Sequence, residues 1–303
     1  MNRSGHRREL KPQEEFRRTV LFDSETLCLA DVHCRGVCRH RSAEEHTSEA
    51  QLIFPYHGMF IRHLGSNESV ADINQVLFFG AEEVHQISHP VTGGDACAVL
   101  TLPTHVLSEL ANVDIYDEQN RRFHVRSRTL TASAQALRSV LLTRLAGNAS
   151  TTLETESLSL TLASLAFASL PVTRYKPTRA KRYLIDRVKL LLADSISKRI
   201  SLADIGKSVG ASPVYLTQAF SELEGLPLYR YQLRLRLAQA LVRLPQQKDL
   251  SALALDLGFS SHSQFTTLFG QTFGLPPGEF LRVTSRGEVK NLLKILKAMP
   301  APT

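Results

Sequence analysis

"LADIGKSVGASPVYLTQAFSELEGLP" (Leu202 to Pro227) returns, one residue longer, as "LSALALDLGFSSHSQFTTLFGQTFGLP" (Leu250 to Pro276). Leu202, Ile205, Val209 and Gly210 recur as Leu250, Leu253, Leu257 and Gly258. Leu216, Phe220, Gly225, Leu226 and Pro227 recur as Phe265, Phe269, Gly274, Leu275 and Pro276, with the extra residue at the turn. An internal repeat constrains a chain more than any single motif, because both copies must solve the same packing problem with one supersecondary unit. Each copy reads as helix, tight turn, helix. Ser201 can N-cap the first helix of copy one, whose Leu202, Ile205 and Val209 share a face. Gly210 sits at the turn, where a left-handed backbone is easiest for glycine. Ser212 then caps a second helix with Pro213 at its first position, and Ser260 or Ser261 does so in copy two.

Two short helices joined by a Gly-containing turn form a helix-turn-helix, whose second helix lies in the major groove with its N-terminal residues against base edges. Hydrogen-bonding side chains, some of them small, suit that place better than Lys and Glu. The expected DNA-facing residues are Ser212, Pro213, Val214, Tyr215, Thr217, Gln218 and Ser221 in copy one, and Ser260, Ser261, His262, Ser263, Gln264, Thr266 and Thr267 in copy two. Between the copies, "LYRYQLRLRLAQALVRL" reads as a helix that fixes their spacing, with Arg230 and Arg234 expected on the DNA backbone. Charge agrees with a polyanion partner at this end only. Residues 174–303 hold 20 Lys and Arg against 9 Asp and Glu, whereas residues 1–173 are mildly acidic.

These residues closely resemble the AraC/XylS family of bacterial transcription regulators, over roughly Tyr183 to Arg282. The most specific stretch is "LALDLGFSSHSQFTTLFGQTFGLPPGEF". The resemblance implies a domain of about seven helices over 183–285, a regulator that more often activates, and contact with RNA polymerase. Family members often carry Arg or Lys near the positions of Thr267, Gly270 and Gln271, where this sequence has none. That implies that the first unit and the linker helix carry more of the phosphate grip.

The N-terminal half follows another period. "TVLFDSETLCLADVHC", "AQLIFPYHGMFIRHLG", "NQVLFFGAEEVHQIS" and "CAVLTL" read as short strands, the pattern of a barrel or jelly roll. Two amphipathic helices follow, with stripes Leu137, Val140, Leu141, Leu145 and Leu158, Leu162, Leu165, Ala166. The resemblance implies a cupin-like sensor that holds a small-molecule effector, with His57, Phe79 and His85 as pocket candidates, and a helical pair that can mediate a homodimer; intradomain packing is the alternative for that pair. The expected fold class is therefore α+β in two domains. It comprises a charged, disordered arm over 1–15, a cupin-like β-barrel with its helical pair over 16–170, a basic linker over 171–182, an all-α double helix-turn-helix over 183–285, and a basic tail over 286–303.

Catalytic motifs are not apparent: no nucleophile elbow, phosphate loop or paired carboxylates stand out. Cys28, His33, Cys34, Cys38, His40 and His46 lie close in sequence, and thiolates with imidazoles bind zinc. The Cys-x3-Cys is similar to the alkyl-acceptor domain of the Ada repair regulators, but that chemistry needs a second close cysteine pair downstream, where only Cys97 remains. His57, His63, His85 and His89 lack the His-x-His of enzymatic cupins. No metal, cofactor or enzymatic activity is expected. A metal- or redox-responsive regulator, or a cupin or alkyl-acceptor enzyme fused to a DNA-binding module, is the alternative. With no long apolar run, no secretory h-region and no paired cysteine framework, the chain reads as cytoplasmic, without a membrane partner.

Overall fold

The computed structural model describes residues 16–36, 40–168, 178–286, 292, 294 and 295. The expected arm over 1–15 and Cys38 lie outside them, as do most of the linker and most of the tail. The first half is built on strands β1 (Phe16–Asp23), β2 (Cys28–Cys34), β3 (Ala50–Gly58), β4 (Phe60–Leu64), β5 (Asn67–Ala71), β6 (Gln75–Phe79), β7 (Gln86–Ser88), β8 (Asp95–Leu102), β9 (Tyr116–Asp117), β10 (Arg122–Phe123) and β11 (Ser127–Thr129). A six-stranded antiparallel sheet of order β1-β2-β8-β3-β6-β11 faces a three-stranded sheet of order β5-β4-β7. β6 and β8 are buried at every position, as expected for central strands covered on both sides. One face, with Leu77, Phe79, Cys97 and Val99, packs with Phe60 and Ala71 of the small sheet. The other, with Leu29, Leu52, Phe54, Phe78 and Leu100, packs on helices.

Those helices are α2 (Ala132–Ala146) and α3 (Thr152–Ala168), which follow α1 (Thr104–Leu110). Leu137, Val140, Leu141, Leu158, Leu162 and Ala166 are all within the core of the chain. Most of both stripes is thus packed within one chain, while Leu145 and Leu165 are partly buried.

The second half is helical: α4 (Arg179–Asp194), α5 (Leu202–Val209), α6 (Pro213–Glu224), α7 (Leu228–Arg243), α8 (Leu250–Asp256), α9 (His262–Phe273) and α10 (Pro277–Arg286). α4 starts inside the expected linker, because Thr178 caps it by accepting from the Lys181 N–H. The repeat is visible in the backbone. Gly210 and Gly258 turn at φ of 73° and 80°, and a Cβ on Gly258 would lie 2.5 Å from the Ser197 carbonyl oxygen.

The two halves meet through a buried polar network. Asp72, in the loop between β5 and β6, accepts from the Tyr231 hydroxyl at 2.6 Å and from the Asn74 N–H at 2.9 Å. Asn74 in turn donates to the Tyr231 carbonyl and accepts from Gln135. Glu224, the last residue of α6, pairs with Lys189 at 2.8 Å and accepts from Gln75 at 3.1 Å and Thr129 at 3.3 Å. Burial pushes the Asp72 carboxyl up and opposes the charged Lys189, but Glu224, Asp186 and Asp72 outweigh it and hold the ammonium above its usual range. Breaking a buried pair by removing one partner costs about 3–5 kcal/mol, whereas an apolar replacement of both is far milder. Lys189→Met should therefore lower urea-unfolding stability by roughly that amount, and Lys189→Met/Glu224→Met by much less. A single-variant loss below about 1 kcal/mol would show that the buried Glu224 does not depend on Lys189.

Candidate nucleic-acid interface

Each unit builds its second helix from the same local devices. Ser212 caps α6 by accepting from the Tyr215 N–H, with Pro213 at the first position. Ser261, rather than Ser260, caps α9 by accepting from the Gln264 N–H. Leu216, Ala219 and Phe220 anchor α6, and Phe265, Phe269 and Phe273 anchor α9. That burial turns the rest of each helix outward. Ser212, Pro213, Val214, Tyr215, Thr217 and Gln218 are exposed, as are Ser260, Ser261, His262, Ser263, Gln264 and Thr267; Ser221 and Thr266 are half-buried. Val214 at 70% and Tyr215 at 45% exposure are large apolar surfaces left in water at a helix start, which suits contact with thymine methyl groups.

The polar tips are not equally available. Thr217 donates to the Pro213 carbonyl, as helix-borne threonine commonly does. Gln264 folds back, its Oε1 accepting from the Ser260 N–H at 2.8 Å and hydroxyl at 3.0 Å. It therefore supports the start of α9 as well as facing outward. A cleft of about 470 Å³ opens beside the first unit, lined by Lys181, Tyr183, Arg187, Gly210, Ser212 and Tyr215 among others.

The arginines of α7 divide. Arg230 is half-buried against the Tyr229 hydroxyl. Arg234 is a correction: it is buried and donates to the Leu130 carbonyl of the N-terminal half, so it cannot reach DNA backbone in this arrangement. Sequence reasoning missed Arg236, which donates to the carbonyls of Ile196 at 2.8 Å, Lys198 at 2.9 Å and Gly258 at 3.0 Å. One guanidinium thus ties the approach to the first unit to the turn of the second. Its alternation with Arg234 on a helix was the only signal available, and it did not say which face met what.

The expected effector-pocket residues lie in unlike surroundings. His57 is exposed beside a bulge in β3. Phe79 and His85 are buried edge to face at 4.6 Å, with the Arg62 guanidinium 3.7 Å above the Phe79 ring. Burial lowers the His85 imidazole below its usual range. Arg62 also donates to the Phe78 carbonyl and pairs with Glu83.

Residues 205–282 match the family described as a helix-turn-helix domain. The chain is similar to the probable transcriptional regulator LumQ of Photobacterium leiognathi, 27% identical over 195 residues, 62% of this chain and 72% of that protein. It is 29% identical over 128 residues to the HTH-type transcriptional activator RhaR of Klebsiella pneumoniae, 39% of this chain and 46% of that one. It is 24% identical over 125 residues to the bifunctional transcriptional activator/DNA repair enzyme AdaA of Bacillus subtilis, 40% of this chain and 59% of that one. The protein is a two-domain DNA-binding transcription regulator. Its first half is strand-rich, and its second half carries two helix-turn-helix units of the AraC type.

Gln218→Ala should relax base preference on a randomised site library by roughly 1–3 kcal/mol at one position, and unchanged preference would remove α6 from the groove. Arg236→Ala should weaken binding to a site spanning two major grooves more than to either half-site. Equal losses would mean that Arg236 does not set the spacing.

Proposed function

We propose that this protein activates transcription from DNA sites read by α6 and α9 in successive major grooves, and that a small organic effector held by the N-terminal domain governs how those helices are presented. Ser212 to Ser221 and Ser260 to Thr267 supply the base-facing residues. Arg230 contributes to backbone grip, and RNA polymerase is the partner that activation requires. The protein works in the cytoplasm; no described helix is long and apolar enough to cross a membrane. It is a regulator and not an enzyme on this reading.

One observation carries the control. The C-terminal end of the first recognition helix, Glu224, is bonded to Gln75 and Thr129, which are paired neighbours on β6 and β11. A change in those strands acts on α6 without passing through any DNA-facing residue. An effector then needs only differential affinity for two arrangements of this contact.

Hydrogen bonds to a charged group contribute about 1.5–3 kcal/mol each. Gln75→Leu or Thr129→Val should therefore shift the balance between arrangements by roughly tenfold or more, where about 1.4 kcal/mol is tenfold. Reporter output should change although every DNA-facing side chain is intact. Unaltered output and unaltered DNA affinity for both variants would rule out control through this contact. Footprinting that protects only one helical turn per chain, where two grooves require about 34–36 Å, would rule out simultaneous docking.

A further inference from the structure

Cys34, His89 and Asp95 come from three different places in the sequence and converge at one end of the strand-rich domain. Cys34 ends β2, Asp95 begins β8, and the two are directly opposite in the antiparallel register, so their side chains share a face. His89 arrives from the loop after β7. One donor atom from each, a thiol sulfur, a ring nitrogen and a carboxylate oxygen, lies within 4.8 Å of the other two. His89 and Asp95 are buried, at 9% and 6% exposure, while Cys34 is only half-buried and leaves a way in from solvent.

The convergence is held by backbone. Gly36 and Gly94 both take positive φ, and a Cβ on Gly94 would lie 2.2 Å from the Cys34 carbonyl oxygen. A Cβ on Gly36 would lie 2.8 Å from the Gly94 Cα. Only glycine permits the loops to cross so closely. The Asp95 carboxylate is oriented by the Cys97 thiol, which donates to Oδ1 at 3.7 Å. Its other oxygen, Oδ2, is buried and pairs with the His89 Nε2 at 2.7 Å, so the carboxylate and the imidazole already face each other.

We propose that Cys34, His89 and Asp95 bind a borderline-soft divalent cation of the zinc type. A thiolate disfavours magnesium and calcium, and one sulfur, one imidazole and one carboxylate is a donor set that zinc accepts. Metal–ligand bonds of about 2.0–2.3 Å put tetrahedral donors roughly 3.3–3.8 Å apart, so uptake needs side-chain shifts of about 1 Å. Cys34 binds as thiolate and its proton leaves to solvent. Three protein ligands leave a fourth position for water or an incoming group. The inference concerns cation binding alone and is independent of the effector reading above.

The test titrates the full-length, chelator-treated protein with Co²⁺ and then with Zn²⁺ in competition. The wild type should take up one equivalent of cobalt with a thiolate-to-cobalt charge-transfer band, and zinc should displace it. Cys34→Ser should lose that band, His89→Gln and Asp95→Asn should bind at least about 100-fold more weakly, and Cys28→Ser should behave as wild type. Zinc should raise the unfolding midpoint of the wild type and leave that of Cys34→Ser unmoved, which separates lost ligation from lost folding. Absence of stoichiometric cobalt binding by the wild type would overturn the proposal. So would a folded Cys34→Ser that keeps the band, or a His89→Gln of unchanged affinity.

Discussion

The burial of Glu224 between Lys189 of its own half and Gln75 and Thr129 of the other is the constraint on which the arrangement of the two halves depends. A buried carboxylate without partners is too costly to keep, so every group around it is committed: Lys189 from α4, Gln75 from β6 and Thr129 from β11. Asp72 and Tyr231 extend the same logic on the next stretch of interface. Such contacts contribute little net stability compared with apolar packing, but they are unforgiving about geometry, because a shift of an ångström leaves charges unpaired in low dielectric. An interface of this kind favours discrete arrangements over gradual sliding, and a regulator needs discrete arrangements.

Apolar packing connects the second unit in a different way. α9 and α10 supply Phe265, Phe269, Phe273 and Phe280 to the same core as Leu137, Val140 and Leu141 of α2. The first recognition helix is thus held to the N-terminal domain by directional polar contacts, and the second by aromatic and aliphatic contacts. Non-directional packing tolerates small rotations that the polar network does not. On the proposed function, a change in the strands would therefore reach α6 more sharply than α9.

The helix-turn-helix units were legible because their determinants are local. Ser212 with Pro213, Ser261, and the glycines at 210 and 258 each specify a cap or a turn within a few residues, and the aromatic and leucine spacing specifies which face is buried. The strands were legible for the same reason. What could not be read is which distant surfaces meet. Arg234 and Arg236 look alike in sequence, and only the fold shows that one is buried on Leu130 and the other spans two helix-turn-helix units. The α2 and α3 stripes read as apolar without saying what covers them. Cys34, His89 and Asp95 are brought together by sheet register and a glycine crossing, which one sequence does not display.

α7 is where these separate facts join. At about 100° per residue, Tyr231 and Arg234 lie on nearly one face and Arg236 about 200° further round. The first face meets Asp72 and the Leu130 carbonyl of the N-terminal domain, and Arg236 meets the backbone of both DNA-binding units. The apolar residues divide as well: Tyr231, Leu235 and Ala238 enter the core of the first unit, and Leu237, Ala240 and Leu241 enter the core shared with the second. A helix is stiff along its axis, so α7 cannot move at one face and stay still at the other. Any change in how Asp72 holds Tyr231 must either be resisted by Arg236 and the Gly258 carbonyl or alter the spacing of α6 and α9. The element that joins the two helix-turn-helix units is therefore also the element that the N-terminal domain grips.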